Sequence, residues 1–141
     1  MSVIVVDASV VVKWYLPEVH GEAALRLLDS PDEFIAPDHL FAETTNAIWK
    51  AVRRRELSAA EGLDIIARLD DEVEIDLVSC RTLTADALEI AVTFGRSVYD
   101  AMYIALAINR NTRLITADSR LYNALAKIPK LAPHIQFIRD Y

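Results

Sequence analysis

The sequence predicts an α/β fold: a mostly parallel central sheet of four to five strands with helices on both faces. Three observations carry this expectation. Val3-Ile4-Val5-Val6 is a β-branched run, apolar on both faces, which suits a strand in the middle of a covered parallel sheet. The run stops at Asp7 and a helical pattern begins at once. A carboxylate therefore stands at the carboxyl end of a central strand, where open α/β sheets bind ligands. Beyond it, short apolar strands alternate with amphipathic helices. The 141 residues contain no internal repeat, low-complexity segment or linker, so a single domain over residues 1–141 is expected.

A first helix is predicted over residues 8–16, stopped by Pro17, and a second over 21–28 with Ala24, Leu25 and Leu28 on one face. Phe34-Ile35-Ala36, set between Pro31 and Pro37, reads as a brief strand. Asp38 is the expected N-cap of the next helix. There Leu40, Thr44, Ala47, Ile48, Ala51 and Val52 form an apolar stripe closed by Arg53-Arg54-Arg55. Ser58-Ala59-Ala60-Glu61 is a capping box whose helix should carry Leu63, Ile66 and Leu69 inward. Residues 73–78 read as a strand, 83–94 as a helix ended by Gly95, and 97–109 as a helix. That last helix is apolar nearly all round from Ala101 to Ile108 and so should be buried. Strands over 113–116 and 135–138, with a short helix opened by Asp118 between them, complete the alternation.

Hydrophobic residues make up 53% of the chain, which excludes a disordered protein. The single cysteine, Cys80, has no internal disulfide partner, which points to a reducing cytoplasm. The first apolar run is too short and lacks the basic flank of a signal peptide, and no stretch approaches a membrane span. A cytoplasmic location without membrane contact is the expectation.

Four acids stand where chemistry is done in such folds, and each also has an ordinary use. Asp7 and Asp118 both follow strands and precede helices, positions that suit N-caps. Together they occupy equivalent ends of two parallel strands that should be neighbours. Glu43 lies at the edge of its helix's apolar stripe, with Asn46 on the same side three residues on. His39, four residues before Glu43, makes a histidine–carboxylate pair possible, although a surface role suits it better. Asp100 is the fourth residue of Ser97-Val98-Tyr99-Asp100, where an acid complements the helix dipole. It also opens a buried helix and so needs a partner.

Val5-Val6-Asp7-Ala8-Ser9, Glu43 with Asn46, Val98-Tyr99-Asp100-Ala101-Met102-Tyr103 and Thr116-Ala117-Asp118 resemble, in order, the motifs of the PIN-domain ribonucleases. Within that superfamily the chain most resembles the VapC toxins of prokaryotic toxin–antitoxin pairs. The resemblance implies a PIN-like three-layer α/β/α fold and a metal-binding catalytic quartet of Asp7, Glu43, Asp100 and Asp118. Ser9, Asn46 and Thr116 would be supporting polar groups. It also implies cleavage of RNA by metal-activated water, leaving a 5′-phosphate and a 3′-hydroxyl. Some relatives carry a further acid after the last aspartate, where Ser119-Arg120-Leu121-Tyr122 has none. One ion or two stays open at this point, as does magnesium against manganese.

Carboxylates are hard ligands that suit Mg²⁺ or Mn²⁺, whereas the lack of a Cys/His cluster disfavours zinc. Formal net charge is −6. Two divalent cations would bring it to about −2, so the count does not exclude an RNA partner. Lys50, Arg53, Arg54 and Arg55 are candidate RNA contacts, although cations at a helix C-terminus also complement its dipole. Trp14 and Tyr15 are more suited to burial than to base stacking. A phosphatase with an aspartate nucleophile would carry a second aspartate where Ser9 stands. A receiver domain would need an acid at Val78-Ser79-Cys80. The remaining rival is a catalytically silent PIN-like module that binds RNA or protein. The VapC likeness further implies a small antitoxin partner and a homodimer.

Overall fold

The computed structural model describes residues 2–141. Five strands form one wholly parallel sheet in the order β3-β2-β1-β4-β5. They are β1 (Val3–Val6), β2 (Glu33–Pro37), β3 (Ile75–Val78), β4 (Leu114–Thr116) and β5 (Ile135–Phe137). Helices α1 (Ala8–Val11), α2 (Gly21–Leu28), α3 (Leu40–Arg53), α4 (Ala59–Glu72), α5 (Thr84–Phe94), α6 (Val98–Asn109) and α7 (Ser119–Leu125) make the outer layers of a three-layer α/β/α fold. No helix among the described residues is long and apolar enough to cross a membrane.

The order follows from hydrophobicity. Ile4, Val5 and Val6 of β1 are completely buried at the centre, and each such side chain contributes roughly 1.5–3 kcal/mol. α6 packs across β1, β2 and β4, with every residue from Ala101 to Ala107 buried, as its all-round apolarity requires. From β1 the chain builds outward through β2 and β3, then reverses to place β4 and β5 on the other side. The reversal lies between β1 and β4, and the ends of those two strands carry Asp7 and Asp118.

Local details depart from expectation for identifiable reasons. The first helix is one α-turn that tightens into a 3-10 turn at Val12–Trp14, where three successive valines crowd the backbone. Asp38 does not cap α3. His39 takes the cap position without a side-chain bond, and Asp38 Oδ1 accepts the Cys80 N–H instead. In α2 the buried residues are Ala23, Ala24 and Leu27, while Leu25 faces out. In α4 they are Gly62, Ile65 and Leu69, and Leu63 is 72% exposed. Gly62 accounts for this rotation. A Cβ there would stand 3.2 Å from Ile48 Cγ2 and Val52 Cγ2 of α3, so the helices approach through the missing side chain. Trp14 is buried against Phe34, and its indole N–H donates to the Ala24 carbonyl.

Candidate active site

The β1–β4 register sets Val6 beside Ile115, which brings Asp7 level with Thr116. Asp7 is 6% exposed. Its Oδ1 accepts from Ser9 Oγ at 2.5 Å and from the Val10 N–H at 3.3 Å, and its Oδ2 accepts from Thr116 Oγ1 at 2.5 Å. Burial pushes this carboxyl up to about 6. The hydrogen bonds from Ser9, Thr116 and Val10 oppose that rise, and the charge of Asp118 adds to it. No cation pairs with Asp7 or Asp118 among the described residues, so Asp7 is a buried acid with donors but no counter-charge.

Asp118 is joined to the same network through the backbone, its N–H donating to Thr116 Oγ1 at 3.1 Å. Its carboxylate is turned the other way and caps α7, accepting from the Arg120 and Leu121 N–H groups. Ser9 ties the two strand ends further by accepting the Ala117 N–H at 2.9 Å.

Glu43 comes from the first turn of α3. Tyr103 Oη donates to its Oε1 at 2.6 Å, and His39 Nε2 stands 3.3 Å from the same oxygen. Burial, with the charges of Glu43 and Asp7, raises the Tyr103 hydroxyl far above its ordinary value, so it stays a donor. His39 Nε2 also faces the Tyr99 carbonyl at 3.1 Å. With two acceptors before it, Nε2 carries the proton, and Nδ1 accepts from Cys80 Sγ at 3.3 Å. Burial pushes the Cys80 thiol up, consistent with its acting as the donor.

Asp100 sits in the first turn of α6, three residues before Tyr103. Its backbone N–H is capped by Ser97 Oγ, and its Oδ2 lies 3.3 Å from Arg96 Nη2. Asn46 is exposed on α3. Lys50, Arg53, Arg54 and Arg55 are exposed at the far end of the same helix, with the Arg53 guanidinium 5.5 Å from the centre of the Trp49 ring.

Among the described residues, no three Asp, Glu, His or Cys side chains are grouped closely enough to hold a metal ion as they are oriented. Glu43 is bonded to Tyr103, whose hydroxyl also lies in the field of the Asp7 charge, and Asp118 adjoins Asp7 through Thr116. The carboxylates of Asp100 and Asp118 are engaged by Arg96 and by the α7 backbone.

A PIN-domain family model matches residues 4–127. The chain belongs to the PIN-domain family. Ribonuclease VapC3 of Pyrobaculum aerophilum is 33% identical over 119 residues, covering 84% of this chain and 91% of that protein, so this PIN domain belongs with the VapC ribonucleases. Its fold matches PAE2754 from Pyrobaculum aerophilum at a TM-score of 0.68 and 20% identity, covering 97% of this chain and 84% of that one. A toxin-antitoxin complex from Klebsiella pneumoniae matches at a TM-score of 0.61 and 12% identity, covering 96% and 97%.

Tyr103, His39 and Arg96 are the residues around the acids that sequence reasoning passed over or set aside. Their spacing carried the signal. His39 and Arg96 each stand four residues before one of the acids, and Tyr103 lies one turn beyond Asp100 on a helix otherwise apolar.

Proposed function

We propose that this chain is a divalent-metal-dependent endoribonuclease of the VapC type, acting as a single PIN domain over residues 1–141. Asp7, Glu43, Asp100 and Asp118 hold Mg²⁺ or Mn²⁺ in this reading, with Ser9, Asn46 and Thr116 in support. One observation carries it: a buried carboxylate with no counter-charge among the described residues, at the strand-order reversal and neighboured by a second acid.

The donor set fits a hard cation, since it is all oxygen and carries an excess of negative charge. Asp118 must leave its helix cap and Asp100 must leave Arg96 to join Asp7. Asp118 is exposed and the Asp100 side chain is 31% exposed, so both are free to rotate. When bound, the ion neutralises phosphoryl charge and lowers the pKa of coordinated water. The protein supplies the geometry. Ser9 and Thr116 fix both Asp7 oxygens, and Tyr103 fixes one oxygen of Glu43, with His39 Nε2 3.3 Å from it. Glu43 serves as a ligand or accepts a proton from the attacking water. Water adds at phosphorus, the bond from phosphorus to the 3′ oxygen breaks, and that oxygen takes up a proton. The products are a 5′-phosphate and a 3′-hydroxyl.

The partners in this reading are an RNA substrate, a second copy in a homodimer, and a small antitoxin whose basic side chain answers the acidic pocket. The test is RNA cleavage by purified protein with Mg²⁺ or Mn²⁺. Wild type should cut and lose activity in chelator, and Asp7→Asn and Asp100→Asn should each be inactive. Activity that persists in both variants overturns the reading. A catalytically silent RNA- or protein-binding module is the second reading, favoured by the ungrouped carboxylates. It requires that no divalent ion binds.

A further inference from the structure

Glu43 is held differently from the other three acids. The Tyr103 hydroxyl of α6 donates to its Oε1 at 2.6 Å, and His39 Nε2, before α3, stands 3.3 Å from the same oxygen while its hydrogen bond goes to the Tyr99 carbonyl. Both side chains are themselves fixed. The Tyr103 side chain is buried. The His39 ring lies 4.7 Å from the Tyr103 ring, faces the Tyr99 carbonyl through Nε2 and takes a hydrogen bond from Cys80 Sγ at Nδ1. Cys80 is anchored in turn by its N–H on Asp38 Oδ1. A glutamate at the edge of a helix ordinarily samples several rotamers, and ordering it costs side-chain entropy. Here that ordering is supplied before any ligand arrives.

We propose that Tyr103 and His39 are positioning residues that pin Oε1 of Glu43, so that its free oxygen, Oε2, is the one presented to the divalent ion. The inference rests on the metal-dependent reading above and deepens it. Glu43 then acts as a one-oxygen ligand, and ion affinity depends on two residues that never touch the ion. Outer partners of this kind change metal affinity by about 10- to 100-fold when removed.

The test is Mn²⁺ binding by isothermal titration calorimetry on wild type, Tyr103→Phe, His39→Ala, His39→Gln and Asp7→Asn, with folding checked by circular dichroism. Tyr103→Phe and His39→Ala should each weaken Mn²⁺ by about tenfold. His39→Gln, which keeps an N–H donor at a similar reach, should recover most of that loss. A purely structural histidine would show no such recovery. If His39→Ala fails to fold, Tyr103→Phe, which removes one oxygen, decides. Wild-type affinity in Tyr103→Phe and His39→Ala alongside lost binding in Asp7→Asn overturns the positioning role and leaves the metal-dependent reading standing. Absence of Mn²⁺ uptake by wild type overturns both.

Discussion

Asp7 links stability to function at the scale of a single residue. Its carboxyl is raised from 3.8 to about 6 by burial, so the folded protein holds that proton more tightly than the unfolded chain. The stabilisation is therefore fully present below about pH 4 and is lost as pH rises through about 6, a change of roughly 3 kcal/mol. In chelator, thermal denaturation should give a melting temperature that falls between pH 4 and 7, apart from the contributions of other acids. Asp7→Asn should flatten that fall and melt higher than wild type at pH 8, while RNA cleavage drops by at least about a hundredfold. Magnesium at pH 8 should raise the wild-type melting temperature and leave the variant unmoved. An unchanged pH slope in Asp7→Asn would show that the buried acid is not the source. Ser9→Ala should cost about 1–3 kcal/mol, because it removes a donor to Asp7 and leaves the Ala117 N–H unpaired. Chemical denaturation at pH 7 measures it. The position of Asp7 was legible because an apolar run ends there so abruptly. The clamp on Glu43 was not, because Tyr103 lies sixty residues away and only the packing of α6 over β1 and β2 joins them.

Elements place these residues, and two small features of the chain fix how α6 presents Asp100. Gly95 ends α5 in the left-handed region, at φ 71°, and Ser97 then caps α6 through the Asp100 N–H. A Cβ on Gly95 would meet nothing within 4 Å, so Gly95→Ala carries backbone strain alone, about 1–2 kcal/mol. Urea denaturation should register that loss, and because the strain falls in the α5–α6 connection, cleavage should also slow. Ser58→Ala is the matched control. It breaks the capping box of α4 at about 1 kcal/mol and should leave cleavage unchanged, since α4 carries none of the four acids. All five strands were legible in the sequence, as was the all-round burial of α6. The inward faces of α2 and α4 were not. Periodicity places a stripe on a helix but does not choose its rotation when a neighbour such as Gly62 lets the backbone come close.

At the scale of the whole molecule, an acidic protein that cuts RNA has to gather its positive charge locally. The acids lie near the start of α3 and the basic group at its end. Ten residues separate Glu43 from Arg53, which is about 15 Å along the helix. Lys50, Arg53, Arg54 and Arg55 therefore do not reach the bond being cut, but they suit phosphates farther along the strand. Trp14 is buried, as its sequence context suggested, whereas Trp49, which sequence reasoning passed over, is 52% exposed with the Arg53 guanidinium over its ring. Trp49 lies on the solvent side of an amphipathic helix, where a large aromatic has no packing reason to be. Replacing Arg53, Arg54 and Arg55 by alanine should raise KM for RNA and leave kcat nearly unchanged, since no group near the acids is touched. On single-stranded RNA the slope of log affinity against log salt should become shallower by roughly 2, three lost contacts at about 0.7 each. Trp49→Ala should also weaken RNA binding, by about 1–3 kcal/mol, but should leave the salt slope almost intact, because stacking releases no counterions. If the triple variant binds RNA with the wild-type slope, these arginines serve only the α3 dipole and the RNA follows another face of the domain.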